Sequence, residues 1–90
     1  MPFEWDEDKR QRNLRKHGID FVDVKEVWSR YHVELPSNQT VDGERRWLAV
    51  GELSGRIITV VFTWRREARR LISARNARQE EKKSYQNGFG

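Results

Sequence analysis

The residues from Ile57 to Trp64 constrain the fold of this chain more than any other stretch. All eight are β-branched or aromatic, and none is charged, glycine or proline. Such a run is typical of a strand that is buried on both faces and therefore lies near the centre of a sheet. Six arginines and a single acid lie between Arg56 and Arg75. This arrangement predicts a rigid platform that presents guanidinium groups, which grip phosphate in a bidentate way.

Two further strands accompany this run and complete a predicted antiparallel meander. Alternating side chains and the hairpin turn Ser54-Gly55 predict three consecutive strands, at residues 45–53, 56–64 and 69–75. Simple alternation along the last strand places Arg69 and Arg75 on the same face. Residues 3–5 alternate aromatic and charged side chains, which predicts a short strand at the edge of the sheet.

Two helices are predicted before the meander. Asp6 is a favourable N-cap and Gly18 a favourable C-terminal glycine, which predicts a helix over residues 7–17. Asp20 begins a second predicted helix, over residues 21–31. Its apolar residues recur at helical spacing and are Phe21, Val24, Val27, Trp28 and Tyr31.

The segments on either side of the meander are predicted as a loop and a third helix. Pro36 ends regular structure, and residues 37–43 are rich in turn formers, so they predict a loop. Residues 76–86 predict a very polar helix. Three of its residues share one face at a spacing of four, namely Ala77, Glu81 and Tyr85.

Length and composition exclude several classes of protein. Ninety residues predict one domain, 1–90, with a single modest core. There is no cysteine, and the two histidines, His17 and His32, lie far apart, so we expect no disulfide, metal or cofactor. No apolar run approaches the roughly 20 residues that span a bilayer, and the acidic N-terminus is unlike a signal peptide. We therefore expect a cytoplasmic protein without a membrane partner.

Charge is distributed unevenly along the chain. Residues 1–44 carry 7 Lys or Arg against 10 Asp or Glu, and residues 45–90 carry 11 against 4. The second half therefore has a net charge of +7, which predicts a polyanionic partner. Arginines outnumber lysines by 13 to 5, which favours phosphate recognition over a merely solvated basic surface.

Both ends of the chain resemble the signatures of one family, the BrnT toxins. The first resemblance comprises Phe3-Glu4-Trp5-Asp6, Lys9, Asn13, Lys16-His17-Gly18 and Phe21. The second comprises Arg70-Leu71-Ile72-Ser73-Ala74-Arg75, Ala77, Glu81 and Tyr85. The two runs lie at opposite ends of a chain of the right length, so the resemblance covers nearly all of it.

The resemblance implies a fold, an activity and partners. The implied fold is α+β and RelE-like, with an antiparallel sheet of three to four strands, two N-terminal helices and a C-terminal helix. The implied activity is that of a ribonuclease toxin of a type II toxin–antitoxin system, which inhibits translation by cutting RNA, either free or as ribosome-associated mRNA. The implied partner is a ribbon-helix-helix antitoxin that neutralises the toxin. The toxin would bind operator DNA only through this antitoxin. Any toxin dimer would be bridged by the antitoxin.

The chemistry of RNA cleavage without a metal defines three tasks for the protein. The RNA's own 2′-OH attacks the adjacent phosphate, which gives a 2′,3′-cyclic phosphate and a 5′-OH. The protein must help to remove the 2′-OH proton, stabilise the extra charge on the phosphate and protonate the leaving oxygen. Arginine suits the second task because it is always charged and offers five donors. The candidates are Arg75 together with either Arg65 or Arg70.

Three residues that match the family signatures are candidates for proton transfer. His17 titrates near neutrality without perturbation. Glu81 would need a raised pKa, and Tyr85 a lowered one. The remaining candidates are RNA contacts, namely Arg70, Arg69, Lys9, Asn13 and Lys16.

Each of these residues also has a purely structural interpretation. Arg75 and Glu81 can form an ion pair between the last strand and the third helix. Tyr85 can pack over the edge of the sheet, and His17 can simply suit the helix dipole. Two other functions also remain open: a non-catalytic toxin relative that binds the antitoxin as a co-repressor, and a plain RNA-binding module.

Overall fold

The computed structural model describes residues 2–88, which form one five-stranded sheet with helices around it. The sheet has the order β1-β5-β4-β3-β2; β1 is parallel to β5, and the other pairs are antiparallel. The elements in chain order are β1 (Phe3–Trp5), α1 (Glu7–His17), a 3-10 helix (Val24–Ser29), β2 (His32–Val41), β3 (Glu44–Leu53), β4 (Arg56–Arg65), β5 (Ala68–Asn76) and α2 (Gln79–Asn87).

The sheet confirms the predicted centre and corrects the predicted edges. β4 is the middle strand of five, and the three meander strands begin and end within one residue of their predicted limits. β1 is an edge strand, as predicted, but it pairs in parallel with β5. The fold is therefore α+β with a mixed five-stranded sheet, instead of three or four antiparallel strands. The finer, RelE-like assignment stays a prediction.

The two faces of the sheet are covered to different extents. On one face, Ile58 and Phe62 of β4 are fully buried in the main core, under the segment that joins α1 to β2. On the other face, a smaller cluster joins Val50 of β3 to Ala77 and Tyr85. Within residues 2–88, α2 packs on one part of this second face, and α1 borders another part. The uncovered part is where the side chains of the candidate site lie.

The predicted helix over residues 21–31 is wrong, because this segment contains only the short 3-10 helix Val24–Ser29. Its fully buried side chains are Phe21, Val24 and Val27. They are spaced by three residues, which is the period of a 3-10 helix. The β-branched valines also lower the preference for an α-helix.

The predicted loop over residues 37–43 is also wrong, because most of it belongs to the edge strand β2. Proline is tolerated in an edge strand, where one side of the backbone needs no partner. Pro36 and Thr40 lie four residues apart but pair with residues only two apart on β3, so β2 bulges between them. This bulge forms one wall of the candidate site.

A second bulge, in β5, places Arg69 and Arg75 on opposite faces, contrary to simple alternation. Leu71 and Ser73 pair with neighbouring residues of β4, which leaves Ile72 as an extra residue. One extra residue reverses the alternation beyond it. Arg69 therefore lies on the core face of the sheet, and Arg75 lies on the partly open face.

The two α-helices differ in how well their limits were predicted. α1 has the predicted bounds: the Asp6 side chain accepts from two backbone N–H groups of the first turn, and Gly18 adopts a left-handed conformation at φ 69°. α2 begins at Gln79, three residues later than predicted, because Asn76 still pairs with Ile58 in the sheet. Within residues 2–88, no helix has both the length and the apolarity needed to cross a membrane.

Candidate active site

The partly open face of the sheet forms a groove of three adjoining cavities. The main cavity, of about 550 Å³, lies between α2 and the bulge of β2, above Leu48 and Val61. The second and third cavities measure about 230 and 310 Å³, and Ile72 lines all three. We call this the basic groove, because its lining includes Lys9, Arg12, Lys16, Arg46, Arg65, Arg70, Arg75 and Arg78.

Arg75 and Glu81 form a bidentate ion pair in the main cavity. The Nη1 atom of Arg75 donates to Oε1 of Glu81 at 2.8 Å, and Nη2 donates to Oε2 at 3.0 Å. Oε1 also accepts from the hydroxyl of Thr59 and from the backbone N–H of Arg78, both at 2.8 Å. The carboxylate thus joins β5, β4 and the start of α2, and it fixes the orientation of the guanidinium.

These contacts determine the charge of Glu81 and the donors left on Arg75. Burial alone raises the pKa of Glu81, but the hydrogen bonds from Arg75, Arg78 and Thr59 outweigh it and lower the pKa to about 2. Arg75 spends a third N–H on the carbonyl of Asn76 at 3.3 Å. Two of its five N–H groups have no partner in the described part of the chain, and 18% of its side chain is exposed. These donors can bind a phosphate in the cavity.

His17 enters the groove from the end of α1. It lines the third cavity together with Ser73, which also lines the main cavity beside Arg75. Burial lowers the pKa of His17, and the positive charges of Lys16 and Arg75 lower it further. The imidazole is therefore neutral at pH 7 and can accept a proton.

Tyr85 lies outside the lining of the groove. It is 7% exposed, within the apolar cluster that includes Val50, and its ring lies 5.3 Å from that of Tyr31. Burial raises the pKa of its hydroxyl. Acid–base roles for Tyr85 and Glu81 required a lowered and a raised pKa, respectively. Both shifts run in the opposite direction: Glu81 is ionised at neutral pH and has no proton to donate, and Tyr85 keeps its proton but lies outside the groove.

The structure separates Arg65 from Arg75. Arg65 lies six residues beyond Thr59, the cross-strand partner of Arg75, which is about 20 Å along a strand. Arg65 instead lines the second cavity, together with Arg70 and Lys9. A shared catalytic position for Arg65 and Arg75 is therefore incompatible with the fold.

Arg69 cannot contact RNA in the basic groove, because it lies on the core face. Its guanidinium lies 4.5 to 5.6 Å from the centres of three aromatic rings, and its side chain is 7% exposed. Nη2 donates to Glu34 at 3.3 Å. The three rings are those of Trp28, Phe62 and Trp64.

Asn13 lines the third cavity and also has a structural role in the fold, so its RNA contact stays a prediction. It is 6% exposed, and its amide exchanges two hydrogen bonds of 3.0 Å with the backbone N–H and C=O of Ala74. The amide also donates to the carbonyl of Ile19 at 2.9 Å. Asn13 thus occupies the edge of β5 where β1 ends, and its polar atoms are used within the fold.

Sequence reasoning left out several residues of the candidate site, among them Thr59, which binds Glu81, and the groove residues Arg12, Arg46 and Arg78. Thr59 is a polar residue at a buried position of an apolar strand, and that mismatch was the available signal. Arg46 and Arg78 entered only through the net positive charge of residues 45–90, and nothing in their local sequence placed them in the main cavity. In the described residues, no three His, Cys, Asp or Glu side chains group as a metal site.

Fold and groove together define a class of protein. A small α+β domain carries a groove rich in arginine, an oriented guanidinium with free donors and a neutral histidine nearby. This set of side chains suits a protein that binds a phosphodiester and acts on it.

Comparisons with known proteins agree with this class. A family profile described as "Ribonuclease toxin, BrnT, of type II toxin-antitoxin system" matches residues 5–81. The crystal structure of the Brucella abortus ribonuclease toxin BrnT is similar, with a TM-score of 0.65 and 39% sequence identity, over 88% of this chain and 99% of that one. No curated protein sequence matches the chain. The chain belongs to the BrnT family of ribonuclease toxins of type II toxin–antitoxin systems, which confirms the resemblance of its two ends.

Proposed function

We propose that the chain cuts RNA beside Arg75, without a metal, by attack of the RNA's own 2′-OH. The observation that carries this proposal is the bidentate Arg75–Glu81 pair, which orients a guanidinium with free donors in an open basic cavity. The 2′ oxygen bonds to the adjacent phosphorus, and the bond from phosphorus to the 5′ oxygen breaks. The products are a 2′,3′-cyclic phosphate and a 5′-OH.

Arg75 and His17 supply two of the three tasks in this proposal. The free N–H groups of Arg75 bind the phosphate oxygens and stabilise the charge that develops on them. Glu81 keeps Arg75 in place and remains ionised. Neutral His17 accepts the 2′-OH proton. The leaving 5′ oxygen takes its proton from solvent, because Glu81 is ionised and Tyr85 lies outside the lining of the groove.

The cellular role follows from family membership and charge. A ribonuclease toxin of a type II system has an RNA substrate and a cognate antitoxin. We propose that cutting mRNA inhibits translation and that a ribbon-helix-helix antitoxin neutralises the toxin. In this proposal the antitoxin brings the toxin to operator DNA and bridges any toxin dimer.

Growth and RNA integrity after induction of this chain in a bacterium test the proposal. We expect growth arrest with loss of total RNA, and relief of both by a folded Arg75→Ala variant, because one oriented transition-state donor is worth about 100-fold or more in rate. Arg56→Ala is the matched control, because Arg56 is exposed on a hairpin and lines none of the three cavities. Intact RNA and normal growth with soluble wild-type protein would contradict the proposal.

Metal independence has its own test. Purified protein should cut RNA equally well in excess EDTA, and the 5′ fragment should carry a 2′,3′-cyclic phosphate. Loss of cleavage in EDTA, restored by a divalent cation, would overturn this part of the proposal. If the purified chain leaves RNA intact but binds the antitoxin, both free and on operator DNA, the chain is a co-repressor and not a ribonuclease.

A further inference from the structure

Arg46 lies at the junction of two cavities without a partner for its buried nitrogen. It lines both the main and the second cavity. Its Nε atom is buried and makes no hydrogen bond within the described part of the chain. A buried donor of a charged group is normally paired, because leaving it unpaired is unfavourable. An anion in the groove would supply the acceptor that the chain itself does not.

The other arginines of the second cavity are already compensated. Arg65 pairs with Glu44 at 3.6 Å, and Arg70 pairs with Glu4 at 2.8 Å. The second cavity also contains Lys9, which, like Arg46, forms no ion pair among the residues that the structure describes. The uncompensated positive charge of this cavity therefore lies at these two residues, despite the acids around them.

The position of Arg46 in the sheet separates it from the proposed cleavage site. Arg46 is next to Trp47, which pairs with Phe62, whereas Arg75 pairs with Thr59. Arg46 and Arg75 therefore lie about four residues apart along the strands, or about 13 Å. Glu81 holds the guanidinium of Arg75, so two phosphates of one extended RNA strand, a few nucleotides apart, can span this separation with one at each arginine.

We propose that Arg46 and Lys9 bind a second backbone phosphate of the RNA, a few nucleotides from the phosphate that is cut beside Arg75. Ile72, which lines all three cavities, lies between the two sites and offers apolar surface to the intervening nucleotides. This inference rests on the proposed ribonuclease function and adds the length of RNA that the groove holds. The ligand class is a phosphodiester of an extended RNA strand.

Neutral phosphate substitution tests the second site directly. The probe is an RNA oligonucleotide with a mapped cut site, made uncleavable by a 2′-deoxy sugar there. A single methylphosphonate is moved along it, and Kd is measured by fluorescence anisotropy. For the wild type we expect a loss of about tenfold at the cut phosphate and at one further phosphate, since each loses a charge-assisted hydrogen bond.

Variants then assign the two phosphates. Arg46→Gln should bind the unmodified RNA about tenfold more weakly and lose its sensitivity at the further phosphate, while it keeps sensitivity at the cut phosphate. Its plot of log Kd against log salt should also lose about 0.7 in slope, which is one single-strand phosphate contact. Arg56→Gln, with the same change of charge outside the cavities, should bind and respond as the wild type does.

A second variant keeps the test valid if Arg46→Gln fails to fold. Lys9→Gln, on the surface of α1, should weaken sensitivity at the same further phosphate. A wild type that cuts RNA but shows only one sensitive phosphate would overturn the second site alone. The second site would also be overturned by an Arg46→Gln variant that loses affinity for the antitoxin but whose RNA binding is still weakened by a methylphosphonate at either phosphate. A folded wild type that cuts no RNA would instead overturn the proposed function.

Discussion

At the scale of single residues, Glu81 determines how the candidate active site is held together. Its carboxylate accepts hydrogen bonds from Arg75, from the hydroxyl of Thr59 and from the backbone of Arg78. Arg75 belongs to a strand, Thr59 to the neighbouring strand and Arg78 to the start of a helix. A single carboxylate therefore couples the position of Arg75, the proposed phosphate-binding residue, to the packing of α2 on the sheet.

Glu81 should make the stability of the fold sensitive to acid. Its pKa is about 2 in the folded chain, against an ordinary value of 4.5. The unfolded chain therefore binds more protons, and the stabilisation is complete above about pH 4.5 and is lost as the pH falls toward 2. Urea unfolding at pH 7 and pH 3 should show a smaller acid loss in Glu81→Gln than in the wild type.

The exposed neighbour Glu80 provides the control for this prediction. Glu80→Gln removes the same charge from the same helical turn, but no hydrogen bond of Glu80 holds Arg75. It should keep the acid loss of the wild type. An equal acid loss in Glu81→Gln and the wild type would show that the carboxylate does not stabilise the fold as its contacts indicate.

His17 should set the acid side of the pH–rate profile. In its proposed role as general base it acts in its neutral form, and burial and the charges of Lys16 and Arg75 lower its pKa from the ordinary value of 6.5. The value of kcat/KM should therefore be flat near pH 7 and fall only in the acid range, below pH 6.5. Lys16→Gln removes one of the charges that lower this pKa, so the acid fall should move to higher pH.

The variant His17→Ala completes this test. It should lose about 100-fold or more in kcat/KM and no longer show the acid fall. Cleavage of RNA by His17→Ala at the wild-type rate, with the same pH profile, would assign the base to another group.

At the scale of elements, α1 acts as a substitute for a sheet partner. β1 covers only the first part of the outer edge of β5, and the side-chain amide of Asn13 pairs with Ala74 beyond it. Asn13→Ala should lower the free energy of unfolding by about 2 kcal/mol, because it leaves buried backbone groups of Ala74 and Ile19 unpaired. Gln11→Ala, on the exposed side of α1, should change it by less than about 0.5 kcal/mol. Equal values for the two variants would contradict this role.

The elements that the sequence predicted well are those whose signals are local. β4 carries eight uncharged β-branched or aromatic residues in succession, and α1 has Asp6 and Gly18 at its two ends. The residues after α1 also showed an apolar repeat, but the choice between 3-10 and α-helix depended on packing against the sheet. β2 was hidden by Pro36, which is acceptable only because the strand lies at an edge.

The bulge at Ile72 had the largest consequence for the candidate site. No residue type in β5 predicts the bulge, which is visible only in the pairing of β5 with β4. Without the bulge, Arg69 and Arg75 would share a face, and both would be taken for RNA contacts. With it, Arg69 is enclosed by aromatic rings in the core, and Arg75 is free to meet a ligand.

At the scale of the whole molecule, the fold brings together in one groove positive side chains that lie far apart in the sequence. The first 44 residues have a net negative charge, yet Lys9, Arg12 and Lys16 of α1 line the groove beside arginines from β3, β4 and β5. The site is therefore assembled from residues 9 to 81, across most of the chain. The two end signatures indicated the family, but no short motif contained the groove, and Arg46 in the middle of the chain carried little family signal.

The most direct test of the whole account is cleavage of an RNA oligonucleotide that carries one 2′-deoxy sugar at its mapped cut site. We predict that the wild type binds this RNA as tightly as the unmodified RNA but no longer cuts it there, because the attacking oxygen is missing. The unmodified RNA should yield a 2′,3′-cyclic phosphate at that position. Cleavage of the deoxy RNA at the same site and rate would show that the nucleophile is not the 2′-OH, and would contradict the mechanism assigned to Arg75 and His17.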